Sequence, residues 1–352
     1  MKLFGNSLKV WGKAAVGETV APLAATLLTP RLGSSRGLIL MFHYINTPLL
    51  PGMSDDLYIP RDEFGPLLDY LRRSLNVLPP MEFFQALLED RLPARAATLT
   101  FDDGLRDNFS HALAELQSRR MSAAFFVCPG LIEAGRTMPS VDVAYLCSSA
   151  KDGEYPLAIE LDGQPAPLQM NVSLTSPESR AITGKLLSRV LLKLPSRSHE
   201  SAINQIRHTL NVHTPIPSIY QLATYEELQQ MHDAGMVIGN HTMFHSTISA
   251  DSLEQFGQDV ALASQRLDGR FQYPMRIFCY PYGRPQDITP ASTKVLHDQA
   301  FDIGLLVQGG IADKALQNPL QLYREQLSYS LSASKAATFM AFARHYRRYR
   351  NR

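Results

Sequence analysis

The sequence predicts an α/β protein built on a parallel sheet or a barrel. Short apolar runs recur along the chain and end in polar residues, and helical patterns with apolar spacings of three and four fall between them. At 352 residues the chain also has the length for a barrel of about 250 residues with additions. Its 45% hydrophobic content, with 21 glycines and 23 prolines, belongs to a packed protein rather than a disordered or collagenous one.

The apolar runs, in order, are Leu38–Phe42 before His43, Ala97–Phe101 before Asp102, Ala123–Val127 before Cys128, Met236–Gly239 before Asn240 and His241, Ile277–Tyr280 before Pro281, and Ile303–Val307. Each reads as a buried strand. Helical spacing marks Phe64-Leu67-Leu68-Leu71, Ala112-Leu113-Leu116, Tyr225-Leu228-Met231 and Leu253-Phe256-Val260-Ala263-Leu267. From about 135 to 219 the alternation breaks. Turn signals at Asp152-Gly153, Asp162-Gly163-Gln164-Pro165 and Ser176-Pro177 precede a helical stretch through Leu186–Leu192, which reads as an insertion. The resulting plan is an N-terminal extension over 1–36, a barrel over 37–334 interrupted by that insertion, and a basic C-terminal helix or tail over 335–352.

Charge narrows the classes of function. The formal net charge is +1, and five arginines crowd the last nine positions (Arg344, Arg347, Arg348, Arg350 and Arg352), so the rest is mildly acidic and a nucleic-acid-coating role is disfavoured. The tail itself reads as a solvated helix end, with peripheral contact to acidic lipid headgroups as the functional alternative. Cys128, Cys147 and Cys279 form neither a disulfide framework nor a Cys-x-x-Cys pair. Residues 1–28, with lysines at 2, 9 and 13 but Glu18 interrupting a stretch already short of the ~20 apolar residues of a bilayer span, read as a helical extension rather than a signal peptide. A cytoplasmic setting is the expectation, with the periplasm or secretion as alternatives.

Because the polar residues sit where strands end, they fall on the face that carries active sites in α/β barrels. Thr100-Phe101-Asp102-Asp103-Gly104 puts two adjacent carboxylates in the turn after a strand, where one can bind a metal while the other handles protons. By itself Asp-Asp-Gly is also a common turn. His241-Thr242-Met243-Phe244-His245 supplies two imidazoles four residues apart, and two histidines with one carboxylate make a three-ligand divalent site with open positions. Zinc in such a site lowers the pKa of a bound water to about 7. Phe278-Cys279-Tyr280-Pro281-Tyr282-Gly283 suits a rigid loop whose backbone N–H groups face a cavity and can hold an oxyanion.

These three elements, in this order, resemble the polysaccharide deacetylase family, the NodB-type carbohydrate esterases of family 4. The resemblance runs from about Leu38 to Ser328 and leaves the insertion uncovered. It is nearest to the exopolysaccharide-associated branch, through Phe42-His43-Tyr44, Asp107-Asn108-Phe109, Tyr225-Glu226-Glu227-Leu228 and Phe278–Gly283. It implies a distorted (β/α) barrel of the NodB type with a large insertion. It further implies Asp102 as catalytic base, Asp103, His241 and His245 as metal ligands, Thr242 as a brace, the Tyr282 N–H as oxyanion donor, and His43 as a substrate or proton-handling contact. The implied cofactor is a divalent metal, zinc by ligand type, and the implied partner an N-acetylated amino sugar.

Two departures stand out. Cys279 occupies the place of the family's arginine that orients the catalytic aspartate, and Arg324, in Leu322-Tyr323-Arg324, is the candidate to supply that charge from elsewhere. The family's late Leu-x-His motif is not recognisable, and its Trp-bearing motif is reduced to Phe301-Asp302-Ile303. That leaves His43 as first candidate for the general acid and His297, in a predicted helix, as second. The expected function is metal-dependent removal of N-acetyl groups from a poly- or oligosaccharide. Its alternatives are a deformylase or deacetylase of a small lipid-linked sugar, an inactive metal-containing carbohydrate-binding protein and, using the same ligand set, an iron oxygenase.

Overall fold

The structure is a computed structural model that describes residues 34–161, 165–249 and 251–327. Most of the expected N-terminal extension and all of the 335–352 tail lie outside them. The strands are β1 (Arg36–Phe42), β2 (Tyr44–Ile45), β3 (Tyr58–Ile59), β4 (Asn76–Val77), β5 (Ala96–Phe101), β6 (Ala124–Val127), β7 (Glu154–Ile159), β8 (Leu168–Ser173), β9 (Val237–Asn240), β10 (Ile277–Cys279), β11 (Ile303–Leu305), β12 (Ala312–Asp313) and β13 (Glu325–Gln326). The helices are α1 (Arg61–Ser74), α2 (Pro80–Leu88), α3 (Leu113–Ser118), α4 (Pro129–Glu133), α5 (Pro139–Ser149), α6 (Pro177–Leu191), α7 (His199–Thr209), α8 (Tyr225–Asp233), α9 (Leu253–Asp268) and α10 (Pro290–Asp298).

The principal sheet runs β11-β10-β9-β6-β5-β1-β12 and curls into a half-barrel. Its central pairings are parallel; among the described residues β12 is the strand that joins it antiparallel, along the start of β1. The segment after β12 bridges the remaining gap. Leu322 pairs with Leu305 of β11, and β13 pairs with Leu40 and Met41 of β1.

Strand alternation separates two apolar layers. On the outer face Phe42, Phe101 and Phe125 are register partners across β1, β5 and β6 and stack at centroid distances of 4.9 and 4.6 Å, covered by α1 through Phe64, Leu67, Leu68 and Leu71. On the inner face Ile39, Phe126, Cys279 and Leu305 pack with Phe83, Phe84 and Leu87 of α2. Thr98 and Thr100 alternate with the outward Leu99 and Phe101, and the same period turns Asp102 inward.

Residues 139–212 build a substructure with its own core, in which Leu146, Leu157, Val172, Leu187 and Ile206 meet. It consists of α5, the antiparallel β7–β8 hairpin, α6 and α7. Ser176 caps α6, its side chain accepting from the Ser179 N–H, with Pro177 in the first turn. A separate apolar cluster joins this substructure to the barrel through Met138, Val141, Tyr220 and Tyr44.

Candidate active site and metal centre

The carboxyl ends of β1, β5, β6, β9 and β10 converge on one buried basin, with His43, Asp102, Asp103, His241, His245 and Tyr282 around it. Asp103 Oδ1 lies 3.5 Å from His241 Nε2 and 3.4 Å from His245 Nε2. The donor atoms of these three side chains all fall within 4.8 Å of one another. His241 Nδ1 faces the Cys279 carbonyl at 2.8 Å. A carbonyl only accepts, so this bond places a proton on Nδ1 and leaves Nε2 as the nitrogen that faces Asp103, there as a hydrogen-bond donor and, once it gives up its proton, as a metal ligand. Burial opposes ionisation of Asp103, yet its bonds to the two imidazoles hold its pKa well below the ordinary value. The set therefore fits a divalent cation in both ligand type and tautomer.

A second grouping, Asp102 with His241 and Cys279, is also compact, but a guanidinium already engages two of its three members. Arg324, fully buried, donates through NH1 to Asp102 Oδ1 and through NH2 to Asp102 Oδ2, both at 2.7 Å. It also donates to the Cys279 sulfur at 3.1 Å, to the Thr100 hydroxyl and to the Leu306 carbonyl. A cation placed among those groups would meet a positive charge. Asp103, His241 and His245 are thus the better ligand set.

Burial alone would raise the Asp102 carboxyl, but the Arg324 charge and its two hydrogen bonds outweigh that and hold the pKa down to about 2. The thiol at Cys279 adds no charge, because burial pushes its pKa up despite Arg324. The arginine absent from the Cys279 position is thus met in space by Arg324, delivered by the segment that closes the barrel. His43 Nε2 lies 3.9 Å from Asp102 Oδ2. Burial lowers the His43 pKa against the pull of Asp102 and Asp103, so its resting form is the neutral imidazole. His297 is on the exposed surface of α10 beside Asp298, its side chain 81% accessible.

The local backbone is strained where these side chains are presented. Asp103, Thr242, His245 and Tyr282 have φ of 74°, 65°, 59° and 56°, a left-handed region that non-glycine residues enter at a cost and that clusters at functional sites. Hydrogen bonds hold the histidine loop in this form. The Thr242 N–H donates to Asn240 Oδ1, the Ser246 N–H to Thr242 Oγ1, and the Met243 N–H to Asp259 Oδ2 of α9. Thr242 is thus a brace within the loop. Asn240 and Asp259 also support it, and neither belongs to a motif legible in the sequence. The Tyr282 ring packs edge-on to His245 at 4.7 Å, and among the described residues the Tyr282 N–H has no hydrogen-bond acceptor.

Residues 197–300, which hold both histidines and the Cys279–Gly283 turn, match the model of the family described as polysaccharide deacetylase. The fold of the chain is similar to that of the Streptococcus pyogenes deacetylase PplD in complex with acetate, with a TM-score of 0.54 at 19% identity over 87% of this chain and 98% of that one. A polysaccharide deacetylase from Bacillus cereus gives 0.51 at 13% identity over 87% and 69%. A putative polysaccharide deacetylase from Bacillus anthracis gives 0.51 at 12% over 86% and 68%. At these identities the likeness is one of fold. No curated protein matches the chain. The distorted NodB-type barrel that the resemblance implies is present as a curled half-barrel sheet.

Proposed function

We propose that this protein is a polysaccharide deacetylase, a metal-dependent hydrolase that removes N-acetyl groups from amino sugars of a poly- or oligosaccharide. The observation that supports this most is the meeting of Asp103, His241 and His245 beside an ionised Asp102 clamped by Arg324. A divalent cation on the three ligands, zinc by donor type, supplies Lewis acidity toward an amide carbonyl and a water.

The protein's own groups account for the rest. Asp102 is held ionised and in one orientation, and it takes the proton of the attacking water. The same ion pair that fixes Asp102 makes it a weak base, so the proton does not rest there. His43, 3.9 Å away, receives it and in its protonated form serves the departing amine, which an amide needs because it leaves poorly without a proton. The free Tyr282 N–H is the donor for charge developing on the carbonyl oxygen.

The test is acetate release from N-acetylglucosamine oligomers together with metal analysis of the same protein. Asp102→Asn is expected to keep the metal and lose a factor of about 10²–10⁴ in turnover. Unchanged release would remove Asp102 from its role. Wild-type protein that holds metal but releases nothing from any amino-sugar amide would replace this reading with that of a carbohydrate-binding protein.

A further inference from the structure

Asp107 is a buried carboxyl that the proposed chemistry does not use, 2% exposed and one turn beyond the Asp102-Asp103 pair. Its Oδ2 accepts the Ile45 N–H at 2.8 Å and the Thr47 hydroxyl at 2.5 Å. Asn46 between them has φ 73°, a reversal that lets both donors reach one oxygen. Its Oδ1 accepts from Asn108 Nδ2 at 2.9 Å, and the same amide nitrogen donates to the His43 carbonyl at 2.9 Å. Turning the Asn108 amide over would set its oxygen against two acceptors, so the network fixes its orientation. Among the described residues the Asn108 oxygen is buried without a partner, an unfavourable arrangement borne at the start of a π-helical turn, Asn108–Ala112, a geometry enriched at functional sites.

These bonds grip the backbone on both sides of Tyr44, at the His43 carbonyl and at the Ile45 amide. On its other side the backbone is held at the Phe42 carbonyl, which accepts the Asp102 N–H at 3.1 Å, but the His43 ring has no tether of its own: among the described residues its Nδ1 is buried without a hydrogen-bond partner, and its Nε2 faces Asp102. We infer that Asp107, with Asn108, is a positioning residue that holds the His43–Thr47 segment so that the His43 imidazole stands over Asp102. This rests on the proposed function for its catalytic consequence, but not for its geometry.

Asp107→Asn keeps the size of the side chain and removes one acceptor, and Thr47→Val removes a single donor from the same network. In Asp107→Asn, metal content should stay at the wild-type level and kcat should fall by about 10- to 100-fold, as a misplacement of about 1 Å would produce. KM should change by less than about two-fold, the pattern of an interaction made in the transition state. Because Asp107 acts through His43, the double variant Asp107→Asn/His43→Ala should be no slower than His43→Ala alone. Losses that multiply would overturn the inference. A crystal structure of Asp107→Asn decides the same question without turnover: a displaced His43 ring supports the clamp, and an unmoved ring refutes it. Wild-type protein without acetate release would defeat the proposed function and leave this crystallographic result as the judge of the clamp. Should Asp107→Asn fail to fold, Thr47→Val takes its place in both measurements.

Discussion

Arg324 and Asp102 form a bidentate ion pair with no access to water, and such pairs are asymmetric in energy. Desolvation consumes most of what the attraction returns, but removing one partner strands the other, at about 3–5 kcal/mol. Arg324→Met is therefore expected to lower the melting temperature markedly, measured by calorimetry on the metal-loaded protein. It should also raise the Asp102 carboxyl from about 2 toward the ordinary range. A carboxylate needed in its ionised form then protonates at higher pH, so the acid limb of kcat/KM should move upward. Arg324→Lys keeps the charge but not the fork, and should keep more of the stability than of the turnover.

The ligand pair, the oxyanion turn and Arg324 each ride on a different element, and their meeting depends on how the half-barrel closes. Gly304 in β11 lies against the backbone of Leu320, where an added β-carbon would run into the Leu320 carbonyl. Neither side of that contact can move without parting Leu305 from Leu322, two residues before Arg324. Gly304→Ala is expected to cost about 1–3 kcal/mol, the range for overpacking, and to lower kcat without losing metal, since all three ligands sit on other elements. Retained turnover at reduced stability would show that the closing segment does not set the position of Arg324. On α4, Gly130 admits the Phe244 ring, and the Leu131 N–H meets the Met243 carbonyl, so this short helix is the seat of the histidine loop.

Over the whole molecule, two sets of carboxyls respond to pH in opposite directions. Burial raises Asp107 to about 7, and Asp142 and Asp259 to about 6, despite the hydrogen bonds or positive charges around them. The folded state holds these protons more tightly than the unfolded chain. Stability from the three is fully present below about pH 4 and is lost as pH rises through about 6 to 7. Asp102 and Asp103 are depressed, so their contribution is present above about pH 4 and lost as pH falls further. Melting temperature against pH should show both limbs, and Asp142→Asn, remote from the ligands, should flatten the upper one. A cation that binds only the folded state adds RT ln(1 + [L]/Kd), about 4 kcal/mol at a thousand times Kd. Chelation should accordingly lower the melting temperature, and zinc should restore it. An unchanged melting temperature would count against metal at the Asp103 site.

Local order was legible in the chain because it is written locally. The period-two strands, the spacing of three and four in the helices, the turn after Phe101 and the four-residue step from His241 to His245 all involve neighbours in sequence. They gave the half-barrel, its polar rim and the ligand candidates. Most partners of those residues were not legible, because they are set by packing across the barrel. Arg324 was a candidate partner for Asp102 only through the family resemblance, not through its own surroundings in sequence, and it reaches that carboxylate over 222 residues; the Cys279 carbonyl chooses the tautomer of His241, and Asp107 finds its donors in the turn after β1. Nothing in the surroundings of an arginine, a carbonyl or a carboxyl in sequence says which buried charge it will meet; only the closed sheet, by bringing distant strand ends within hydrogen-bond reach, decides that.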